Sequence, residues 1–264
     1  SYYNTTSFDL AASSFDLAAE VARTFDIVDT NAVYNAALCY ERAGLNELAI
    51  DRYKECAEID YKLPNTLLNV CDLYRKMEND DEALKTLQEA RINYPDEIAY
   101  ITEEFNFHIL KEDEEKALAC IIDATTRDST NYQYWSLRGN IFQRLNKVKE
   151  SKYAFLVAYN LDSTKFNANY GLGIIYNNLA SSDFDQYNNY PYKLSAKEKT
   201  ERENVKISGD DNIRIAISYF EIALKANPID EDLYDTIRIL KDLYAKSLQD
   251  EKYMEMKALL DSLD

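Results

Sequence analysis

The sequence predicts an all-α fold, a solenoid of antiparallel helix pairs repeating every 34 residues. Three observations carry this. Within residues 30–63, Val33, Ala36, Ala37 and Tyr40 fall at i, i+3, i+4 and i+7. After a break at Gly44-Leu45-Asn46, Ala49, Tyr53 and Cys56 resume at i, i+4 and i+7, the spacing of two short amphipathic helices joined by a tight turn. A step of 34 carries Tyr40 onto Tyr74, His108, Phe142 and Tyr176, a ring each time. The same step carries Ala49 onto Ala83, Ala117 and Ser151, and Cys56 onto Ala90, Ala124 and Ala158, all small, while Tyr53 becomes Leu87, Ile121 and Phe155, all large. Size kept in place at a fixed period is the signature of a helical-repeat protein.

Residues 1–29 predict a truncated first unit. Tyr2 stands at the ring position, Asn4-Thr5-Thr6 at the turn, and Ala11, Phe15 and Ala18 follow as small, large and small. The chain opens on Ser1, partway into this unit, so it reads as a trimmed piece of a longer protein, in which any leader would be out of view. Thr24–Thr30 predicts a longer connection. Repeats are then expected at 30–63, 64–97, 98–131 and 132–165, with polar turns such as Glu78-Asn79-Asp80-Asp81 and Lys111–Glu115 capping the helices that follow. The third repeat departs from the pattern, with Glu104 on a core position and Phe105 on a small one. That predicts looser packing there, as a local bend or an exposed carboxylate, with a one-residue shift bringing Phe105 and Ile109 inward.

The fifth repeat, 166–230, is interrupted. Tyr176 to Ala216 spans 40 residues where Tyr40 to Ala49 spans 9, an insertion of 31 at 181–211. It predicts either two lengthened helices in a projecting hairpin or a mobile loop. The favoured form is a partial helix over Ala196–Val205 stopped at Gly209-Asp210. Residues 231–264 carry two apolar stripes, Ile237, Leu240 and Tyr244, then Met254, Met256, Leu259 and Leu260, as expected of capping helices. The whole chain, 1–264, is expected to form one solenoid.

These features resemble the tetratricopeptide repeat over residues 30–230. Leu172-Gly173-Ile174-Ile175-Tyr176 matches the L-G-x2-Y part of that family's first-helix signature, Trp135, Gly139 and Phe142 give a looser version, and Pro95 and Pro228 stand at the repeat-ending proline. The resemblance implies a right-handed superhelix and a non-catalytic interaction scaffold, with a partner protein or peptide held in a concave groove lined by first-helix residues. Carried over, the groove comprises Asn31, Tyr34, Asn65, Asp72, Asn106, Gln133, Asn140, Asn167, Tyr170 and Asn177. Neighbouring positions add Leu38, Glu41, Arg42, Leu68, Arg75, Lys76, Thr102, Ser136, Gln143, Arg144, Ile174 and Asn178. Amides recur along this strip and can both donate to and accept from an extended peptide backbone. Plain polar surface is the alternative reading. Tyr34 and Leu38 stand where the family's carboxylate clamp needs Lys and Asn, which excludes that clamp. The Tyr- and Asn-rich repeats and enlarged last repeat resemble tetratricopeptide proteins that bacteria export to the cell envelope, implying a periplasmic place over a cytoplasmic one.

Composition agrees. The 264 residues are 46% apolar and 29% charged, with only 5 Gly and 4 Pro, an ordinary globular balance with little material for hairpins. No run of roughly 18 apolar residues offers a membrane span. A net charge of −17 argues against nucleic acid and anionic lipid and is compatible with a basic partner. Cys39, Cys56, Cys71 and Cys120 lack C-x-x-C spacing; they read as buried free thiols, with a Cys56–Cys71 disulfide as the alternative.

No residue pattern carries catalysis. The only histidine, His108, occupies a ring position and reads as packing rather than acid–base or metal chemistry. Gly171-Leu172-Gly173 lacks a third glycine and a preceding strand. Asp80-Asp81 and Glu112-Asp113-Glu114-Glu115 lack the spacing of a calcium loop. No enzyme activity, cofactor or metal is expected. Beside the peptide scaffold, two other functions fit: self-assembly through Tyr187, Tyr190 and Tyr192 of the insertion, and glycan binding by the Tyr- and Asn-rich surface.

Overall fold

The computed structural model describes residues 2–226 and 229–263, with side chains from Ser7 onward, Asp230 excepted. Pro228 and the ring of Tyr2, both used above, lie outside the described residues. Among the described residues every regular element is an α-helix: α1 (Tyr2–Arg23), α2 (Thr30–Ala43), α3 (Asn46–Glu58), α4 (Asn65–Lys76), α5 (Asp80–Asn93), α6 (Ile98–Leu110), α7 (Glu114–Arg127), α8 (Tyr132–Arg144), α9 (Val148–Leu161), α10 (Phe166–Asn188), α11 (Ala196–Lys225), α12 (Asp230–Lys246) and α13 (Asp250–Leu263). None of the described helices is long and apolar enough to cross a membrane. The chain divides into two compact units, Ser1–Ala124 and Thr125–Asp264.

One turn geometry recurs within the helix pairs. In the first unit Gly44, Glu78 and Glu112 are left-handed, with φ of 78°, 58° and 56°. The next amide, of Leu45, Asn79 and Asp113, donates 2.9 Å to the carbonyl of Tyr40, Tyr74 and His108 respectively. In the second unit Asn146 and Leu248 repeat it, Lys147 donating to Phe142 and Gln249 to Tyr244. This six-to-one bond satisfies an orphan carbonyl and ends the helix. Side chains then start the next helix: Asn79 Oδ1 accepts from the Glu82 amide at 3.3 Å and Asp113 Oδ1 from the Lys116 amide at 3.2 Å.

The small positions face inward. Ala49, Ala83 and Ala117 are 0% exposed in the first unit, and Ser151, Ala158 and Ala216 are equally buried in the second. Ser151 Oγ donates 2.9 Å to the Gly139 carbonyl, so the one hydroxyl at this position is satisfied. A Cβ on Gly139 would meet the Phe155 ring at 2.7 Å, and one on Gly171 would meet it at 2.4 Å. Phe155 therefore fills a slot between α8 and α10 that two missing side chains create.

Several expectations need correction. Residues 2–23 form one helix with no turn at Asn4-Thr5-Thr6. Its inward face is Ala12, Asp16 and Ala19 rather than Ala11 and Ala18, because Asp16 accepts from Tyr40 Oη at 2.6 Å and from Arg52 Nε at 2.7 Å. Glu104 is not exposed and α6 does not shift register: Glu104, Phe105 and His108 are all buried and Ile109 half-buried. The carboxylate is accommodated because the Arg91 guanidinium on α5 reaches it.

The insertion is not a partial helix with a stop at Gly209. Where the other pairs turn, Ala180 continues α10, and α11 runs unbroken through Gly209. A Cβ on Gly209 would meet the Phe184 ring at 2.9 Å, so this glycine admits a ring from α10 instead of ending the helix. Ser195 and Glu198 open α11 with a reciprocal capping box. All four cysteines are free thiols, which overturns the disulfide alternative; Cys39 is only half-buried. In α13, Met256 and Leu260 are buried while Met254 and Leu259 face solvent.

Candidate binding surface

The residues expected on the binding strip lie on α2, α4 and α6 in the first unit and on α8 and α10 in the second. In the first unit most are tied into internal contacts. Asn31 accepts 2.6 Å from Tyr61 Oη. Tyr34 is half-buried, edge-on to Tyr53 and Tyr61, with Lys62 Nζ 3.8 Å above its ring. Arg75 lies 3.8 Å from Asp72 and 2.9 Å from Glu103, to which Asn106 also donates. Glu41 takes Lys76 Nζ on one oxygen and Tyr53 Oη on the other. Burial, reinforced by Glu41, pushes the Tyr53 phenol well above its usual pKa, so it remains a donor. Asn65 is exposed here, with no side-chain hydrogen bond among the described residues.

The second unit differs. Gln133, Asn140 and Asn167 are exposed and Asn177 is half-buried, and none of their side chains donates a hydrogen bond among the described residues. Tyr170 is not free contact area: it stacks on Phe166 at 5.1 Å, meets Phe220 edge-on, and burial raises its pKa. Next to this strip is a cavity of about 270 Å³ walled by Val148, Ile175 and Leu179, with Gln143 and Asn178 among its lining residues. Apolar walls with a few convergent polar groups suit an apolar side chain carried on a polar backbone.

Sequence reasoning missed that cavity, since its lining is assembled from α8, α9 and α10 and only the amides follow the period. It also missed Arg138, which occupies the core slot held by Ala36 and Val70 in other repeats. Arg138 lies 5.0 Å from the Trp135 ring and 5.5 Å from Phe142, and donates to Thr125 Oγ1 at 3.2 Å. Burial lowers its pKa. A charge on a core slot was the available signal, as at Glu104.

No family model matches the sequence, and no curated protein matches it. Solved structures do. YrrB, described as a TPR protein with an unusual peptide-binding site, is similar at 14% identity and a TM-score of 0.53, covering 86% of this chain and 99% of its own. A monomeric IFIT1 mutant, solved with Gppp-AAAA, is similar at 14% identity and a TM-score of 0.53 over 94% of this chain, which spans 55% of that one. At such identities the likeness is one of fold. With its paired helices, recurring turn and inward small residues, the chain is a helical-repeat protein with the tetratricopeptide-repeat fold.

Proposed function

We propose that the chain is a non-catalytic scaffold that holds an extended peptide segment of a partner protein along the first-helix faces, principally in the second unit. The observation that carries this is the uncommitted amides Asn140 on α8 and Asn177 on α10, the helices whose Gln143 and Asn178 line the cavity. Amide heads read a peptide backbone and the cavity takes one of its apolar side chains. A peptide-display library selected on the full chain tests this. A selected peptide should bind the Asn140→Ala, Asn177→Ala double variant at least roughly fivefold more weakly, a loss of about 1 kcal/mol, with melting unchanged. Equal binding by the variant removes this face as the site.

A second reading, self-assembly, is favoured by one observation: Tyr192, in the connection between α10 and α11, is fully exposed. Replacing Tyr190 and Tyr192 by Ser should then delay elution in sizing chromatography; elution identical to the parent ends this reading.

A further inference from the structure

Helix α6 carries Glu104 and His108 one turn apart, and both are buried, as is Cys120 on α7. The two oxygens of Glu104 are divided between neighbours. Oε2 accepts from Arg91 Nη1, while Oε1 faces His108 Nε2 at 3.7 Å, too long for a hydrogen bond. Arg91 Nη1 also lies 4.0 Å from Cys120 Sγ, and its Nη2 donates 2.7 Å to Asp123 Oδ2. One donor atom each from Glu104, His108 and Cys120 lie within 4.8 Å of one another. A ring at position 108 accounts for the burial of the imidazole. It does not account for an oxygen, a nitrogen and a sulfur converging around one point.

We propose that Glu104, His108 and Cys120 form a binding site for a divalent transition-metal ion of the zinc class, clipping α6 to α7. Tetrahedral zinc with bonds of roughly 2.0–2.3 Å places its donor atoms about 3.3–3.7 Å apart. The Glu104–His108 separation already meets that spacing, and small side-chain rotations bring in the sulfur. A thiolate and an imidazole select a borderline-soft ion over calcium or magnesium, which need several oxygens. On binding, the metal–sulfur bond forms as the Cys120 thiol proton leaves to solvent; imidazole and carboxylate donate existing lone pairs, and water completes the shell. Arg91, anchored on Asp123, stays on Oε2 and keeps Oε1 turned toward the site.

Cobalt(II) titration of the full, chelator-stripped chain tests the proposal, because a cobalt–thiolate bond gives a near-ultraviolet charge-transfer band that surface carboxylates do not. The parent should develop that band to one ion per chain and lose it on adding zinc(II). Cys120→Ala, which installs the residue found at the equivalent Ala154 of the next repeat, should abolish it. His108→Tyr, which installs the ring of the neighbouring repeats, should weaken zinc binding at least roughly tenfold. Zinc should raise the melting temperature of the parent, less that of His108→Tyr, and not that of Cys120→Ala. Absence of the band in the parent, or its persistence in Cys120→Ala, overturns the site.

Discussion

Glu104 sets the residue-scale problem: a carboxylate 5% exposed on a core slot, met by one guanidinium that also holds Asp123. Removing one partner of a buried pair leaves an uncompensated charge, typically at a cost of 3–5 kcal/mol. Arg91 is 27% exposed at its side chain, so water relieves part of that. Arg91→Ala should therefore cost roughly 3 kcal/mol by denaturant unfolding in chelator-treated buffer, and Arg91→Ala with Glu104→Leu should recover most of it. The thiols give a second expectation. Burial pushes Cys56 up to about 11 and Cys71 up to about 12. A folded-state pKa above the unfolded value of about 8.5 means the folded chain binds more protons between the two values. This contribution to stability is complete below about pH 8.5 and declines as pH rises toward 11–12. Melting followed from pH 8 to 10.5 should fall, and the Cys56→Ala, Cys71→Ala variant should fall less steeply.

At the scale of the element, the left-handed turn residue is the most informative feature. Gly44 adopts it freely, whereas Glu78, Glu112 and Leu248 carry a Cβ into the same region. Left-handed backbone costs an L-residue roughly 1–2 kcal/mol, and glycine's extra entropy loss returns about half of that. Glu78→Gly should thus stabilise the chain by about 0.5–1 kcal/mol in thermal unfolding. Gly171→Ala drives a Cβ into the Phe155 ring and should destabilise it by roughly 1–3 kcal/mol. The helix pairs were legible because Tyr40, Ala49 and their 34-residue images repeat, and repetition averages out local exceptions. Gly209 was misread because glycine as a helix stop and glycine as a close-packing point look alike in sequence; Phe184, 25 residues away, decides between them. Arg91 reaching Glu104 left no periodic trace, since an ion pair depends on one side chain and not on a face. The amides of the candidate site were legible, but the partners of Asn31 and Asn106, and the cavity between Gln143 and Asn178, exist only once helices pack.

At the scale of the whole chain, a net charge of −17 opposes compaction, so moderate salt should raise the melting temperature by screening that repulsion. Small side chains at one fixed interval let helices in each unit approach closely. Ala83 and Ala117 are wholly buried on this seam, and Gln88 on the same helix as Ala83 is exposed. The decisive measurement is thermal and urea unfolding of Ala83→Leu and Ala117→Leu beside a Gln88→Leu control. Each alanine variant should lose roughly 1–3 kcal/mol while the control keeps parental stability. Alanine variants that unfold with the parent would contradict close packing at this seam.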